Sequence, residues 1–237
     1  MTDKGFIHEI FDSIQGEGLY CGQRHIFVRF AGCNLNCGYC DTPAAMDQYP
    51  PVCLIENDKP IDNPVTVDQV TDICRNTGFK VVSITGGEPL AQPEFLSSLM
   101  AALKEAGFVN YLETNGTLYR QLPSVIKCAD VIAMDMKLPS ATGNKAHWED
   151  HSKFLEIASQ TEVFVKIIVS CDTSEEEISR CCGIINGAHS KIPLIIQPLT
   201  GDNAPSGTLL MKLQEAAMRQ APDVRVIPQC HHLLGLK

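Results

Sequence analysis

Cys33, Cys37 and Cys40 place three thiols within eight residues, in the run Gly32-Cys33-Asn34-Leu35-Asn36-Cys37-Gly38-Tyr39-Cys40-Asp41. Three thiolates suit an iron–sulfur cube that keeps one iron without a protein ligand. Structural zinc takes four ligands, usually with paired CxxC spacing, and ferredoxin clusters take four thiolates at other spacings. An open iron is a place for a substrate or cofactor to bind, so such a cluster would do chemistry rather than only carry electrons. Two plainer readings stay open on these residues alone. One is a zinc loop that borrows a distant fourth ligand such as His231; the other is three packed cysteines.

Two further runs bear on what would bind there. In Thr85-Gly86-Gly87-Glu88-Pro89 the paired glycines let backbone approach a ligand closely, and the carboxylate beside them can accept from an amine. Taken alone the same run is an ordinary strand-to-helix turn. Ser13-Ile14-Gln15-Gly16-Glu17-Gly18 sets an amide and a carboxylate on a glycine-flexible loop, and Arg29 follows on the next strand. Gln15 and Glu17 can meet ring nitrogens and amines, while Arg29 can fork onto a carboxylate through two parallel hydrogen bonds. Alone, a polar turn and a surface ion pair would explain these residues as well.

The elements that must position these groups are strand–helix units. Short runs rich in β-branched residues at 25–31, 80–85, 110–114, 130–136, 162–169, 192–197 and 223–227 predict strands. Between them, Thr66-Val67-Asp68-Gln69 predicts a capping box opening a helix that runs to about Asn76 and ends at Gly78. Residues 93–106, 174–185 and 207–220 predict further helices. Alternation of this kind implies a parallel sheet with right-handed crossovers, closed or partly closed into a barrel, with functional residues at the C-terminal strand ends. The cysteine run and Gly86-Gly87-Glu88-Pro89 both fall at such ends. Residues 50–64 and 140–150 lack periodicity and read as loops.

At 237 residues the chain can bury one large core, so 1–237 is expected to be a single domain. No apolar run approaches the roughly 18 residues of a membrane span, and the opening residues show no basic stretch or apolar segment of a signal peptide. A cytoplasmic protein is the expectation. The net charge of −9 argues against nucleic acid or an anionic membrane as partner. Eleven cysteines without a secretory signal fit a reducing compartment, and the eight outside the cluster run read as small buried apolar residues.

Taken together and in order, SIQGEG, VRFAGCNLNCGYCDT, TGGEP and the terminal VIPQCH closely resemble the 7-carboxy-7-deazaguanine synthase family of the radical S-adenosylmethionine (SAM) superfamily, from about residue 9 to the end. The resemblance implies a partial (βα)6 TIM-like barrel of α/β class. It also implies conversion of 6-carboxy-5,6,7,8-tetrahydropterin to 7-carboxy-7-deazaguanine with loss of ammonia, a carbon–nitrogen lyase step on the way to queuosine. A reduced [4Fe–4S] cluster on Cys33, Cys37 and Cys40 would cleave SAM to a 5′-deoxyadenosyl radical that attacks substrate C6. Thr42 matches the magnesium position. Tyr39, Cys40, Asp41, Gly87, Glu88, Lys137, Ser140 and Gln197 match SAM positions, and Ile14, Gln15, Gly16, Glu17, Arg29, Thr85 and Pro228 match substrate positions. No acid or base is assigned. A flavodoxin or ferredoxin as electron donor and a homodimer are further implications. The tail departs from the family's PQTHK pattern, reading Pro228-Gln229-Cys230-His231-His232. Competing readings are a glycyl-radical activating enzyme, which shares the cysteine spacing, and a non-enzymatic metal scaffold.

Overall fold

The computed structural model describes residues 3–56, 58–189 and 191–236. Met1 and Thr2, part of the signal-peptide reading, lie outside the described residues, as does Asn57 in the expected loop at 50–64. In chain order the strands are β1 (Lys4–Gly5), β2 (Ile7–Ile14), β3 (Arg24–Phe30), β4 (Val52–Ile55), β5 (Ile61–Asp62), β6 (Val65–Thr66), β7 (Val81–Gly86), β8 (Val109–Thr114), β9 (Val131–Asp135), β10 (Glu162–Val169), β11 (Leu194–Pro198) and β12 (Val224–Val226). The helices are α1 (Val67–Thr77), α2 (Pro93–Glu105), α3 (Pro139–Thr142), α4 (Trp148–Ala158), α5 (Glu175–Ala188), α6 (Gly207–Met218) and α7 (Cys230–Leu234).

One sheet of ten strands runs β12-β11-β10-β9-β8-β7-β3-β2-β4-β5, while β1 pairs with β6 in a separate ribbon. From β12 to β3 every pairing is parallel, and β2 then runs antiparallel to β3. Among the described residues β12 and β5 do not pair, so the sheet is a partial TIM-like barrel rather than a closed one.

Strand alternation divides the core. Leu112, Ile132 and Val165 face the helices, in one cluster with Leu96 and Leu99 of α2, Phe154 of α4 and Cys181 of α5. Tyr111, Ala133 and Phe164 face the other way and form a small apolar floor with Val131 and Ile195. Helix α1 begins with the expected capping box between Thr66 and Gln69 and stops at Gly78, whose φ of 78° is left-handed. Ser174 and Glu177 make a second capping box on α5.

Three expectations are corrected. Strand β2 is absent from the sequence reading because His8, Glu9, Asp12 and Ser13 break its apolar pattern and its register shifts between Ile7 and Glu9. The polar positions are tolerated because Glu9 pairs with Arg29 across the sheet at 3.0 Å. The stretch 50–64 is not wholly a loop, since β4 and β5 form a short hairpin there. The stretch 140–150 holds most of α3 and the start of α4, which buries His151, Phe154 and Leu155. Thr142 Oγ1 bonds back to Leu138 O at 2.8 Å, a local contact that periodicity does not register.

Candidate active site

The cluster run leaves the end of β3 and is tied at once to the end of β7. Gly87 N donates to Phe30 O at 3.0 Å, Glu88 N to Gly32 O at 2.8 Å, and Gly32 N to Ala45 O at 2.7 Å. This crossing explains the two glycines. A Cβ on Gly87 would stand 1.9 Å from Gly32 O, and one on Gly86, with φ of 127°, 2.3 Å from Phe30 O. Both positions therefore exclude a side chain because backbone occupies the space, whether or not a ligand also approaches.

Glu88 lies behind this crossing and is fully buried. Its Oε1 accepts from Leu90 N at 3.0 Å and Thr114 Oγ1 at 2.8 Å, and its Oε2 from Asn115 N at 2.7 Å. Burial pushes its carboxyl up to about 6 against those hydrogen bonds. The brace continues outward: Asn115 Nδ2 donates to Asn34 Oδ1 at 2.9 Å, and Asn34 Nδ2 to Thr117 Oγ1 at 2.8 Å. Asn34 sits beside Cys33, so the end of β8 holds the cysteine loop through Glu88 and Asn115.

Cys33, Cys37 and Cys40 are free thiols that border one cavity of about 580 Å3. They sense one another electrostatically, yet they are not close enough to share a single ion. Among the described residues the one metal-sized group of His, Cys, Asp and Glu, with ligand atoms within 4.8 Å, is Glu17, Asp41 and His231. Four sulfurs around one zinc stand about 3.8 Å apart at the usual zinc–sulfur bond length. The three thiols are not all within 4.8 Å of one another, a spacing that fits a cube with each sulfur on its own iron. Burial raises Cys33 and Cys37, opposed in part by Lys137; metal binding would displace their protons. The loop is anchored by Gly38 N to Thr142 O at 3.0 Å and by Asn144 Nδ2 to Cys37 Sγ at 3.6 Å.

The C-terminal end of β9, with Lys166 level with it in the middle of β10, carries a charged cluster that touches the cysteine run at Tyr39. Lys137 Nζ reaches Asp135 Oδ2 at 2.9 Å and Tyr39 Oη at 3.2 Å, and Lys166 Nζ reaches Asp135 at 3.3 Å and pairs closely with Glu17. Burial alone would raise Glu17, but Lys166, with hydrogen bonds from Gln229 and Gln197, holds it down at about 2. Asp135 is lowered in the same way, Lys137 and Lys166 together outweighing burial.

A second polar group lies at the ends of β7 and β8. Glu113 accepts from Gln15 Nε2 at 2.9 Å and Thr85 Oγ1 at 2.8 Å, and burial raises its carboxyl above the ordinary range. Beside it, Phe11 and Phe27 stack at 5.0 Å, and the Arg29 guanidinium stands 5.6 Å from the Phe11 ring. Arg29 spends Nε on Glu9, which leaves its other N–H donors for the cavity it lines.

The structure brings most of the sequence-derived positions together. Ile14, Gln15, Gly16, Glu17, Arg29, Tyr39, Asp41, Thr42, Thr85, Gly87 and Lys137 border the same cavity as the three cysteines. Four others are not on its wall. Glu88 is sealed behind Asn115, and Gln197 is buried with Nε2 on Glu17 at 3.0 Å. Ser140 is engaged with Thr173 and Glu177, and Pro228 is exposed. Sequence reading gave no role to Glu113, Asp135 or Lys166, and named His231 only as a distant zinc ligand and Gln229 only within the tail motif; all five are on the wall. Lys166 had a signal, as the one basic residue inside the apolar strand EVFVKIIV. Glu113 had none, because Asn-Tyr-Leu-Glu-Thr is an unremarked strand until its neighbours are known.

The radical SAM superfamily matches residues 27–179. A 7-carboxy-7-deazaguanine synthase of Geobacter sulfurreducens is 43% identical, over 97% of this chain and 96% of that protein. One of Methanopyrus kandleri is 36% identical over 96% and 92%. In structure, QueE from Escherichia coli superposes with a TM-score of 0.67 at 21% identity, over 96% of this chain and 95% of that one, a likeness of fold.

Proposed function

The chain belongs to the radical SAM superfamily and, within it, to the 7-carboxy-7-deazaguanine synthases, and on that premise we propose that it contracts the ring of 6-carboxy-5,6,7,8-tetrahydropterin to 7-carboxy-7-deazaguanine with release of ammonia. Membership in the superfamily implies a [4Fe–4S] cluster and SAM. The observation that carries the substrate reading is one cavity lined both by the three thiols and by the Glu113, Gln15 and Arg29 group.

When bound, the cluster and SAM supply abstraction of a hydrogen atom from substrate C6. The rest is the work of this chain's residues. The amino-pyrimidine edge of a pterin presents parallel N–H donors, which the Glu113 carboxylate can accept while Gln15 and Thr85 hold it in place. Arg29 matches the substrate carboxylate, and Phe11 and Phe27 give the ring an apolar surface. Lys137, Tyr39, Asp41 and Gly87 are read as the SAM side, with Glu88, Ser140 and Gln197 acting from behind the wall. Holding C6 against the reacting carbon and excluding water are the protein's contributions to rate.

Thr42 is proposed as a magnesium ligand. Its hydroxyl lies 3.2 Å from Asp41 Oδ1, and substrate carboxylate and water would complete the oxygen shell that magnesium takes. The same reading takes residues 1–237 as one domain of a cytoplasmic homodimer that draws electrons from a flavodoxin or ferredoxin. Among the described residues no helix is long and apolar enough to cross a membrane. The test is anaerobic reconstitution with iron and sulfide, followed by carboxytetrahydropterin, SAM, magnesium and a reductant. Cluster absorption together with 7-carboxy-7-deazaguanine is expected, and a reconstituted cluster without that product would overturn the assignment.

A further inference from the structure

We propose that Cys21 and Cys230 form a reversible disulfide that clamps the C-terminal segment onto the Gln15–Gly18 loop. The two segments already touch through backbone: Cys230 N donates to Gly16 O at 2.9 Å, and Gly22 N to Gln15 O at 2.8 Å. Their side chains meet as well. The Cys21 thiol lies against that of Cys230, and a Cβ on Gly16 would stand 2.2 Å from His231 Nδ1. Both cysteines are half-buried and free, and neither borders the cavity.

The position of Cys230 gives the bond a consequence. Gln229 and His231, on either side of it, both line the cavity, and Gln229 Nε2 donates to Glu17 Oε1 at 2.9 Å. As thiols, the two residues leave this wall held by hydrogen bonds and packing. Joined, they tie it covalently to the loop that carries Gln15 and Glu17, so opening of that wall for substrate or product requires reduction. Disulfides in reducing compartments are usually transient and redox-sensing, which suits a pair placed at the wall of an oxidant-sensitive cluster.

The chemistry balances by exchange with a low-molecular-weight disulfide. Exchange can begin at either thiol, and the balance is the same. The Cys230 sulfur, losing its proton, attacks the small disulfide and releases one small thiol. Cys21 then loses its proton, attacks the Cys230 sulfur and displaces the second. The protein gives up two hydrogens and two electrons; the small disulfide takes up both and leaves as two thiols.

The test treats the cluster-loaded enzyme anaerobically with glutathione disulfide, then alkylates and digests it with trypsin. Cys21 is the one cysteine in the peptide 5–24, Cys230 the one in 226–237, and the cluster cysteines fall in 30–75, since Pro60 blocks cleavage after Lys59, so the products separate by mass. A linked 5–24/226–237 pair is expected, with slowed amide exchange over 229–234 and a several-fold, dithiothreitol-reversible fall in turnover. Cys230→Ser and Cys21→Ser should keep wild-type turnover and lose all three responses. Free alkylated Cys21 and Cys230 after treatment would overturn the proposal, and so would a linked pair with unchanged exchange and turnover. Linkage and exchange are read without substrate, so their outcome is separate from that of the ring-contraction assay.

Discussion

On the proposed function, substitution of Glu113 should separate substrate recognition from cluster assembly. It touches Gln15 and Thr85 and none of the cysteines. Glu113→Gln keeps the shape and replaces one acceptor by a donor, so a charge-assisted hydrogen bond worth about 1.5–3 kcal/mol is lost. The expected result is KM for the pterin raised roughly 10- to 100-fold, with kcat and iron content changed far less, measured in steady-state assays with metal analysis. Glu17 makes a different prediction, about acid stability. Its carboxyl is lowered from 4.5 to about 2, so the folded state binds fewer protons than the unfolded one between those values. The stabilisation is complete above the unfolded value and is lost as pH falls through that window. Urea-unfolding midpoints measured from pH 5 down to the acid limit should fall, and Glu17→Gln should flatten that limb while lowering stability throughout, because Lys166 is then buried without its charge partner.

The strand ends behave as crossing backbones that tolerate no side chain, and helices farther out do not share the constraint. Gly87→Ala forces the end of β7 away from Gly32 O, and with it the start of the cysteine loop. Reconstituted Gly87→Ala should hold well under the wild-type iron and sulfide per chain while keeping a cooperative unfolding transition. Gly183 is the contrast. It lies within α5, exposed, and a Cβ there meets nothing within 4 Å. Gly183→Ala should stabilise the fold by about 0.5–1 kcal/mol, read as a higher unfolding midpoint, since alanine loses less entropy in a helix.

For the molecule as a whole, the open sheet is the decisive feature. The cysteine loop after β3 and Thr85 and Glu113 at the ends of β7 and β8 share one rim because those strands are parallel, whereas Gln15 follows β2, which runs antiparallel to β3, and joins them by reaching Glu113 with its side chain. The end of β9 brings Asp135 and Lys137 there, Lys166 of β10 sits beside Asp135, and the tail after β12 brings Gln229 and His231. The proposed dimer gives a direct measurement: sedimentation at micromolar concentration should return twice the chain mass of 26.0 kDa. A monomer over the whole range would remove that part of the proposal.

The residues that carry local chemistry were legible from their order along the chain. The cysteine spacing, the paired glycines, SIQGEG and the capping box at Thr66 are each short-range patterns, set by ligand number, backbone sterics or hydrogen bonds three residues apart. Seven strands and four helices followed from periodicity for the same reason. Strand β2 did not, because its buried Glu9 is acceptable only opposite Arg29, a partner twenty residues away. The carboxylates show the division most sharply. Sequence marked Glu88 as a ligand-facing group, and folding sealed it behind the loop as a brace. Glu113 carried no mark, and folding set it on the cavity wall between Gln15 and Thr85. Which side of a wall a charge occupies depends on the packing of strands distant in sequence, and only the tertiary structure decides that.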